Sequence, residues 1–516
     1  MLINKKYFQI VVMGCLLGWL AFFLFQKLDL AVVDLGRFLK NGENIFNGNW
    51  RAVLQTNFYS FSFPGFSFLN HHWATGVVFY LVYQLGGFAF LHLFAVALIF
   101  ATFGLLFQIA RKEVGWSVAI ILAALLIPLM AYRQEIRPEI FSGLFSAVFF
   151  YILWGWRNKE FSAWWLWALP VFEILWVNLH IYFFLGPAIL GAFLLEKIIF
   201  YFKNKAEKLK LISGVFVAVL FATLANPFGW KGALHPFFVY GNYGYRILEE
   251  QTIWFLENLK IHHPSFILFQ IMLGALVLSF AWIAFKKRAE FQWANFFVAG
   301  GFSFMACWSI RNLSLFGFFA LPILASNLKI ILPKISLNNF NRKMVCVGLA
   351  FIIVLTVLIG YWRYLPTAND RFGLGLLAGT NDSAVFWQEH NLQGPIFNNY
   401  DIGAYLIYHL FPSEKVFVDN RPETYPVEFF DEIYIPLQEN EEIWREKSEE
   451  YGFNALFFYF RDATPWGQKF LIARVQDENW ASVFADERAI IFLKRNELNK
   501  IIIDEFEIPR EMFRVN

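Results

Sequence analysis

Apolar residues in this chain gather in runs of membrane length, divided by short polar breaks. A helix crosses a bilayer with about 20 predominantly apolar residues and a lower limit near 17. Such runs lie near 8–25, 88–110, 116–132, 138–156, 162–178, 181–202, 209–225, 265–285, 291–308, 312–332 and 344–362. The pattern predicts an α-helical polytopic membrane protein of about eleven transmembrane helices. One more run, 74–85, is too short to cross and stops at Gly86-Gly87, so it is expected along the interface. Beyond 364 the pattern changes to short apolar stretches among charged residues, the mark of a separate soluble domain. The expected domains are therefore 1–363, with a large first outer loop at 26–87, and 364–516.

Lys and Arg in the short loops orient such a bundle. With the N-terminus cytoplasmic, alternate loops carry Arg111/Lys112, Arg157/Lys159, then Lys203, Lys205, Lys208 and Lys210. The same side receives Lys286/Lys287/Arg288 and Lys329, Lys334, Arg342 and Lys343. Eleven spans then leave the C-terminal domain extracytoplasmic. Lys5 and Lys6 precede the first run as in a signal peptide, but no small-residue cleavage site follows, so a retained anchor is expected.

Composition agrees with a lipid setting. Of 516 residues 58% are hydrophobic and 16% charged, against about 25% charged in soluble domains. A net charge of +3 gives no reason to expect a nucleic-acid partner. Cys15, Cys307 and Cys346 all fall in apolar runs, which supports neither a disulfide framework nor a zinc site.

The same topology sorts the polar residues. Outer segments hold Asp29 and Asp34, His71 and His72, and the run Arg133, Glu135, Arg137, Glu139. They also hold Asn178 and His180, Asn226, His235, Arg246, Glu249 and Glu250, His262 and His263, and Arg311 with Asn312. Polar groups at the ends of otherwise apolar helices are costly and usually face a cavity, so one outward-facing polar cavity is expected. Asp34 has a plainer reading as a helix cap or a partner for Arg37. Glu173, inside a span, should face the bundle.

Several short motifs carry a family resemblance. DLGRFLKNGE, TNFYSFSFPG and NHHWATG resemble the first outer loop of bacterial multi-pass proteins in the GT-C glycosyltransferase superfamily. The similarity extends through IRPEIFSG, LWVNLHIYFFLG, ANPFGW and SIRNLSLF to FNNYDIGAYLIYHLFPSEKVFVDNRPETY. The resemblance implies sugar transfer from a polyprenyl-phosphate-linked donor to an acceptor at the outer face. It implies Asp34 as the base that deprotonates the acceptor hydroxyl, with Gly36 allowing close approach of substrate. Two departures stand out: the family's His-Glu-Trp reads His71-His72-Trp73, and its His after the glycine reads Arg37 or Phe38. The first bears on metal use, since it removes an acidic position; no cofactor is fixed, and a divalent cation stays open.

Such a transfer needs a carboxylate near the acceptor hydroxyl and cations against the leaving phosphate. Arg137, Arg246 and Arg311 are the expected phosphate ligands, with at least two guanidiniums converging and open to it, since the guanidinium fork suits phosphate. Arg37, His71, His72, Glu135, Asn178, His180, Asn226 and Glu249 complete the expected substrate-binding set. Two other readings remain: a transporter or flippase of a lipid-linked or polar solute, and a GT-C-like assembly protein without activity.

In the soluble domain GPIFN (394–398), KVFVD (415–419) and NALFFYF (454–460) read as buried strands. A helix is expected from Asn381 to about His390, another pattern of helix over 426–450, and a closing hairpin about Asp486-Glu487-Arg488. Together they predict a mostly parallel α/β domain. VDNRPETYP, with Asp419, Arg421, Glu423 and Tyr425, reads either as a ligand loop after a strand or as a salt-bridged turn.

Overall fold

The computed structural model describes residues 5–201, 209–238, 243–245, 247–333, 341–364 and 371–513. Arg246, Lys203, Lys205, Lys208 and Lys334, which entered the expectations above, lie outside them. The chain forms two compact units. The first holds 1–26, 92–236 and 247–374, the second 27–91, 237–246 and 375–516. The first loop, expected to belong with the membrane domain, thus shares a unit with the C-terminal domain.

The first unit is helical. Among the described residues six helices are long and apolar enough to cross a membrane. They are Lys6–Leu24, Trp73–Met130, Glu139–Arg157, Ile181–Phe200, Pro264–Lys286 and Ile310–Ile331. Ala163–Leu179, Leu209–Ala222 and Lys343–Leu358 are apolar but shorter. The run Trp73–Met130 has 58 residues, roughly 87 Å if straight, against about 30 Å of hydrocarbon. It is not straight: Gly87 and Gly115 take φ of 65° and 73°, which an α-helix of L-residues does not tolerate but glycine does. The breaks fall where the sequence put them, after the interfacial run and between the second and third expected spans.

Within this unit Trp293–Trp308 packs against both Leu185–Tyr201 and Leu313–Ile331. The Glu196 carboxylate accepts from the Ala294 N–H at 2.8 Å, a negative charge at a helix start where the backbone amides are unpaired. Glu113 accepts from Trp154 Nε1 at 2.7 Å and from Lys329 at 2.9 Å. Glu173 is fully buried and neither carboxylate oxygen has a hydrogen-bond partner among the described residues.

The second unit has a four-stranded sheet in the order β1-β2-β4-β3. The strands are β1 Ile396–Asn398, β2 Ala455–Tyr459, β3 Trp480–Ala485 and β4 Ala489–Lys494. Only β1 and β2 run parallel; β4 pairs antiparallel with both neighbours, so the expectation of a mostly parallel sheet is corrected. The hairpin about 486–488 and the helix Asp382–Glu389 are as expected. Residues 415–419 form no strand: Val416 makes a single bridge to Ser60. The helical pattern over 426–450 breaks into Phe429–Tyr434, Pro436–Glu439 and Glu441–Glu450. The core is aromatic, with Phe397 in ring contact with Phe417, Trp444, Phe453, Phe458 and Phe470.

The helix Leu35–Phe46 sits among this unit's other elements by way of two glycines. A Cβ on Gly36 would lie 2.7 Å from Tyr408 Cβ and 3.0 Å from the Ala404 carbonyl, and one on Gly42 would collide with Gly76 and Tyr80. Gly36 is therefore a helix-packing residue; the room expected there for substrate is filled by Tyr408.

Candidate active site

Asp34 occupies the residue before the helix Leu35–Phe46, and its side chain makes no capping hydrogen bond. The plain reading as a cap is thus excluded. Its carboxylate accepts from Asn420 Nδ2 and lies 3.9 Å from an Arg37 nitrogen. The two side chains are 19% and 6% exposed, so the carboxylate keeps an open side while the cation beside it is buried. Arg37 Nε has no hydrogen-bond partner among the described residues, and the guanidinium rests on the Phe38 ring, 4.7 Å from its centroid. One turn on, Asn41 accepts from the Tyr59 hydroxyl at 2.9 Å, and its own Nδ2 is buried without an acceptor among the described residues.

Asp29, by contrast, is tied up. It accepts from Thr380 Oγ1 at 2.9 Å, from Arg488 Nε at 2.9 Å and from the Ala31 N–H at 3.2 Å. That carboxylate locks the first loop to the C-terminal segment of the same unit. Asp34 is the one of the pair with an exposed face.

The loop after Val418 supplies the rest of this cluster. Asp419 and Arg421 form a doubly hydrogen-bonded pair at 2.8 and 2.6 Å, and Arg421 Nη2 also donates to Asn57 Oδ1 at 3.1 Å. The Arg421 guanidinium lies over Tyr59 and Phe68. The salt-bridged turn is therefore what VDNRPETYP makes, and Asn420 within it donates to Asp34. Burial raises the Glu423 carboxyl above the usual range, with Arg37 and Arg421 among the groups that oppose it. Burial likewise raises the Tyr400 hydroxyl, to which the negative charges of Glu423 and Asp34 add. Asn420, absent from the sequence expectations, is the contact they missed; its flag was the resemblance at FVDNRPETY, not its own residue type.

His71 Nδ1 pairs with the Leu69 carbonyl at 3.2 Å. His72 meets the Phe38 ring edge-on and stacks edgewise on His71.

In the first unit Arg137 and Arg311 do converge, and Arg133 joins them, but on a carboxylate. Glu249 accepts from Arg133 at 2.6 Å, from Arg137 at 2.8 Å and from Arg311 at 2.6 Å. Arg311 also reaches Glu250 at 3.1 Å. Glu135 and Glu139 stand farther off, at 3.4–4.0 Å from these arginines. Burial alone would raise the Glu249 carboxyl, yet the three guanidiniums outweigh it and hold it well below the usual range. The open phosphate site expected from Arg137 and Arg311 is thus closed by Glu249, and Glu249 is a ligand of arginine in this structure.

The remaining expected binders hold local structure. Asn178 donates to the carbonyls of Ile174 and Ala225. His180 Nδ1 pairs with Ser142 Oγ at 2.7 Å, which accepts from Trp176 Nε1. Asn226 donates to Thr223 and Gly229 carbonyls and accepts from Phe228 N–H, a local turn. Among the described residues no three His, Cys, Asp or Glu side chains gather as metal ligands. Arg37 also puts a positive charge beside Asp34, where a cation site would need a second carboxylate.

No family model matches the sequence, and no curated protein matches it. Solved structures do resemble it in fold. The oligosaccharyltransferase AglB from Archaeoglobus fulgidus, in complex with an inhibitory peptide and a dolichol-phosphate, aligns at TM-score 0.61 and 12% identity over 94% of this chain and 74% of its own. The oligosaccharyltransferase of that organism tethered to an acceptor peptide with the NVT sequon aligns at TM-score 0.62 and 12% identity, over 95% and 74%. ArnT from Cupriavidus metallidurans bound to undecaprenyl phosphate aligns at TM-score 0.52 and 13% identity, over 96% and 99%. This chain shares the fold of these proteins, and its described residues include six helices long and apolar enough to cross a membrane.

Proposed function

We propose that the protein is a glycosyltransferase that moves a sugar from a polyprenyl-phosphate carrier to an acceptor hydroxyl outside the cytoplasm. The likeness of fold over 94–96% of the chain to proteins solved with dolichol-phosphate and undecaprenyl phosphate supports the carrier. The observation that carries the chemistry is Asp34: a partly open carboxylate held by Asn420, next to a buried guanidinium.

In this reading Asp34 takes the proton from the acceptor hydroxyl as its oxygen attacks the anomeric carbon. The bond from that carbon to the carrier phosphate breaks, and the phosphate leaves with the electron pair. A general base held in position contributes about 10²–10⁴-fold. Asn420 orients the carboxylate, and Arg37 offsets the negative charge gathering around it, with His71 and His72 nearby in the same loop. All eleven apolar runs are taken to cross the membrane, with the N-terminus cytoplasmic and the C-terminal domain outside.

The test is product formation by the purified full chain in detergent, with a panel of polyprenyl-phosphate sugars and membrane-derived acceptors. Release of polyprenyl phosphate together with a glycosylated acceptor supports the reading. Protein that binds the carriers but releases none of them across the panel contradicts it.

A further inference from the structure

The polar atoms around Asp34 exceed what a single acceptor hydroxyl can engage. All of them belong to the second unit. Arg37 Nε, a donor, and Asn420 Oδ1, an acceptor, are buried without a hydrogen-bond partner among the described residues, although both side chains lie against the Asp34 carboxylate. The Tyr400 hydroxyl can donate and accept; it too is buried without a partner among those residues, on a side chain 5% exposed. The charges of Asp34 and Glu423 both act on that hydroxyl, and the charge of Arg37 acts on Glu423, so the five groups share one neighbourhood. The Tyr400 ring is held in place: Tyr245 stacks on it with centroids 4.2 Å apart, and its backbone N–H donates to the Tyr434 hydroxyl at 2.8 Å. Buried polar groups are seldom left unpaired in a folded protein.

We infer that Arg37, Tyr400, Asn420 and Glu423 form the acceptor subsite beside Asp34, and that the acceptor is a carbohydrate bound through hydroxyls next to the one that reacts. This rests on the reading of Asp34 as the base and adds the class of the acceptor. A hydroxyl has one proton to donate and two lone pairs to accept with. Once the reacting hydroxyl has turned its proton to Asp34, it keeps no donor for Asn420 Oδ1, which therefore needs a second O–H. Arg37 Nε and the Tyr400 hydroxyl call for further oxygens. A sugar ring carries hydroxyls on adjacent carbons, each a donor and an acceptor, and so matches a set of mixed polarity. A lipid alcohol brings one hydroxyl and hydrocarbon, which would bury the other groups unpaired at a cost. An ammonium acceptor would face the Arg37 guanidinium, a like charge.

The experiment measures binding to the full chain by saturation-transfer NMR, in a detergent without a sugar headgroup. The probes are the methyl glycosides of glucose, galactose and mannose, with cyclohexanol and N-acetylserine methylamide as one-hydroxyl controls. At least one glycoside should bind about tenfold or more tighter than either control. Tyr400→Phe should weaken that binding about tenfold, the worth of one hydrogen bond at the upper end of its range. The same substitution should leave the thermal midpoint of the ligand-free protein level or higher, because the hydroxyl it removes has no partner to lose. The native protein gives a second readout should the variant fail to fold. In the deoxy analogues of the bound glycoside, loss of either of at least two different hydroxyls should weaken binding about tenfold. Absence of glycoside binding, controls that bind as well, unchanged binding in Tyr400→Phe, or deoxy analogues that all bind as the parent does would each overturn the inference. Glycoside binding without sugar transfer would refute the proposed function and leave the carbohydrate site standing. Transfer to a one-hydroxyl acceptor, indifferent to Tyr400→Phe, would refute this inference alone.

Discussion

Replacing Asp419 by Asn should be among the most damaging single changes in the second unit. The Asp419 and Arg421 side chains are 0% and 3% exposed, and both are committed to each other. Asp419 receives Nε, Nη2 and the backbone N–H of Arg421. Asn keeps one acceptor oxygen and removes the charge, leaving a buried guanidinium with the Asn57 amide oxygen and the faces of Tyr59 and Phe68. Those contacts exist in the native protein already and do not grow to compensate. Breaking a buried pair from one side costs about 3–5 kcal/mol. The retained oxygen puts Asp419→Asn near the low end, about 3 kcal/mol. Arg421→Met, which strands the carboxylate instead, belongs near the top. Together the two should cost about 2 kcal/mol less than their sum, because the second change removes a charge the first had already orphaned. Native-state hydrogen exchange over 415–430, with each variant in the same detergent, reads these differences. A loss under about 0.5 kcal/mol for Asp419→Asn, or strict additivity of the pair, would refute the reasoning. The loss should extend to catalysis, since the same turn presents Asn420 to Asp34.

Gly36→Ala puts a methyl group 2.7 Å from Tyr408 Cβ, where no flexible chain end can give way; overpacking of this kind costs about 1–3 kcal/mol, readable as a lowered thermal midpoint. Burial, helped by Lys40, lowers His409 from 6.5 to about 4. The unfolded chain therefore binds the proton first, and stability of the second unit should fall as pH drops from 6.5 towards 4. The loss approaches about 3 kcal/mol, and His409→Gln should abolish it; a flat profile in the native protein contradicts the assignment. A reporter fused after Asn516 should be extracytoplasmic and one inserted within 203–210 cytoplasmic, and finding both on one side would end the eleven-span topology.

What was legible in the sequence follows physical range. Apolar run length is a local property, and each apolar helix of ten or more residues in the first unit lies within or against a run read from it. Left-handed glycines at 87 and 115 are likewise visible as breaks in those runs. Strand partnership is not local. The stretch 415–419 has the composition of a strand, but its neighbour is Ser60, some 350 residues away, and one bridge does not make a ladder. The closing hairpin was visible; that β4 would also lie beside β2, turning most of the sheet antiparallel, depends on packing of the whole domain. Polar chemistry shows the same limit. Asp34 stood out from Asp29 by its motif; that Thr380 and Arg488 hold Asp29 is visible only in the fold. Arg137 of RQEIRPE and Arg311 of SIRN were marked as cations for phosphate. That a glutamate over 100 residues from one and over 60 from the other already sits among them is a fact of the fold.

The most direct measurement for the central claim is single-turnover transfer by Asp34→Asn, with carrier binding measured on the same preparation. The substitution keeps size and hydrogen bonding and removes basicity. The account predicts a fall of about 10²–10⁴-fold in the transfer step, with polyprenyl-phosphate binding and thermal midpoint unchanged. Asp29→Asn, whose partners are Thr380 and Arg488, should instead lower the midpoint and leave the transfer rate of the folded fraction near native. Near-native transfer by Asp34→Asn, or a loss explained wholly by unfolding, would contradict the assignment of Asp34 as the base.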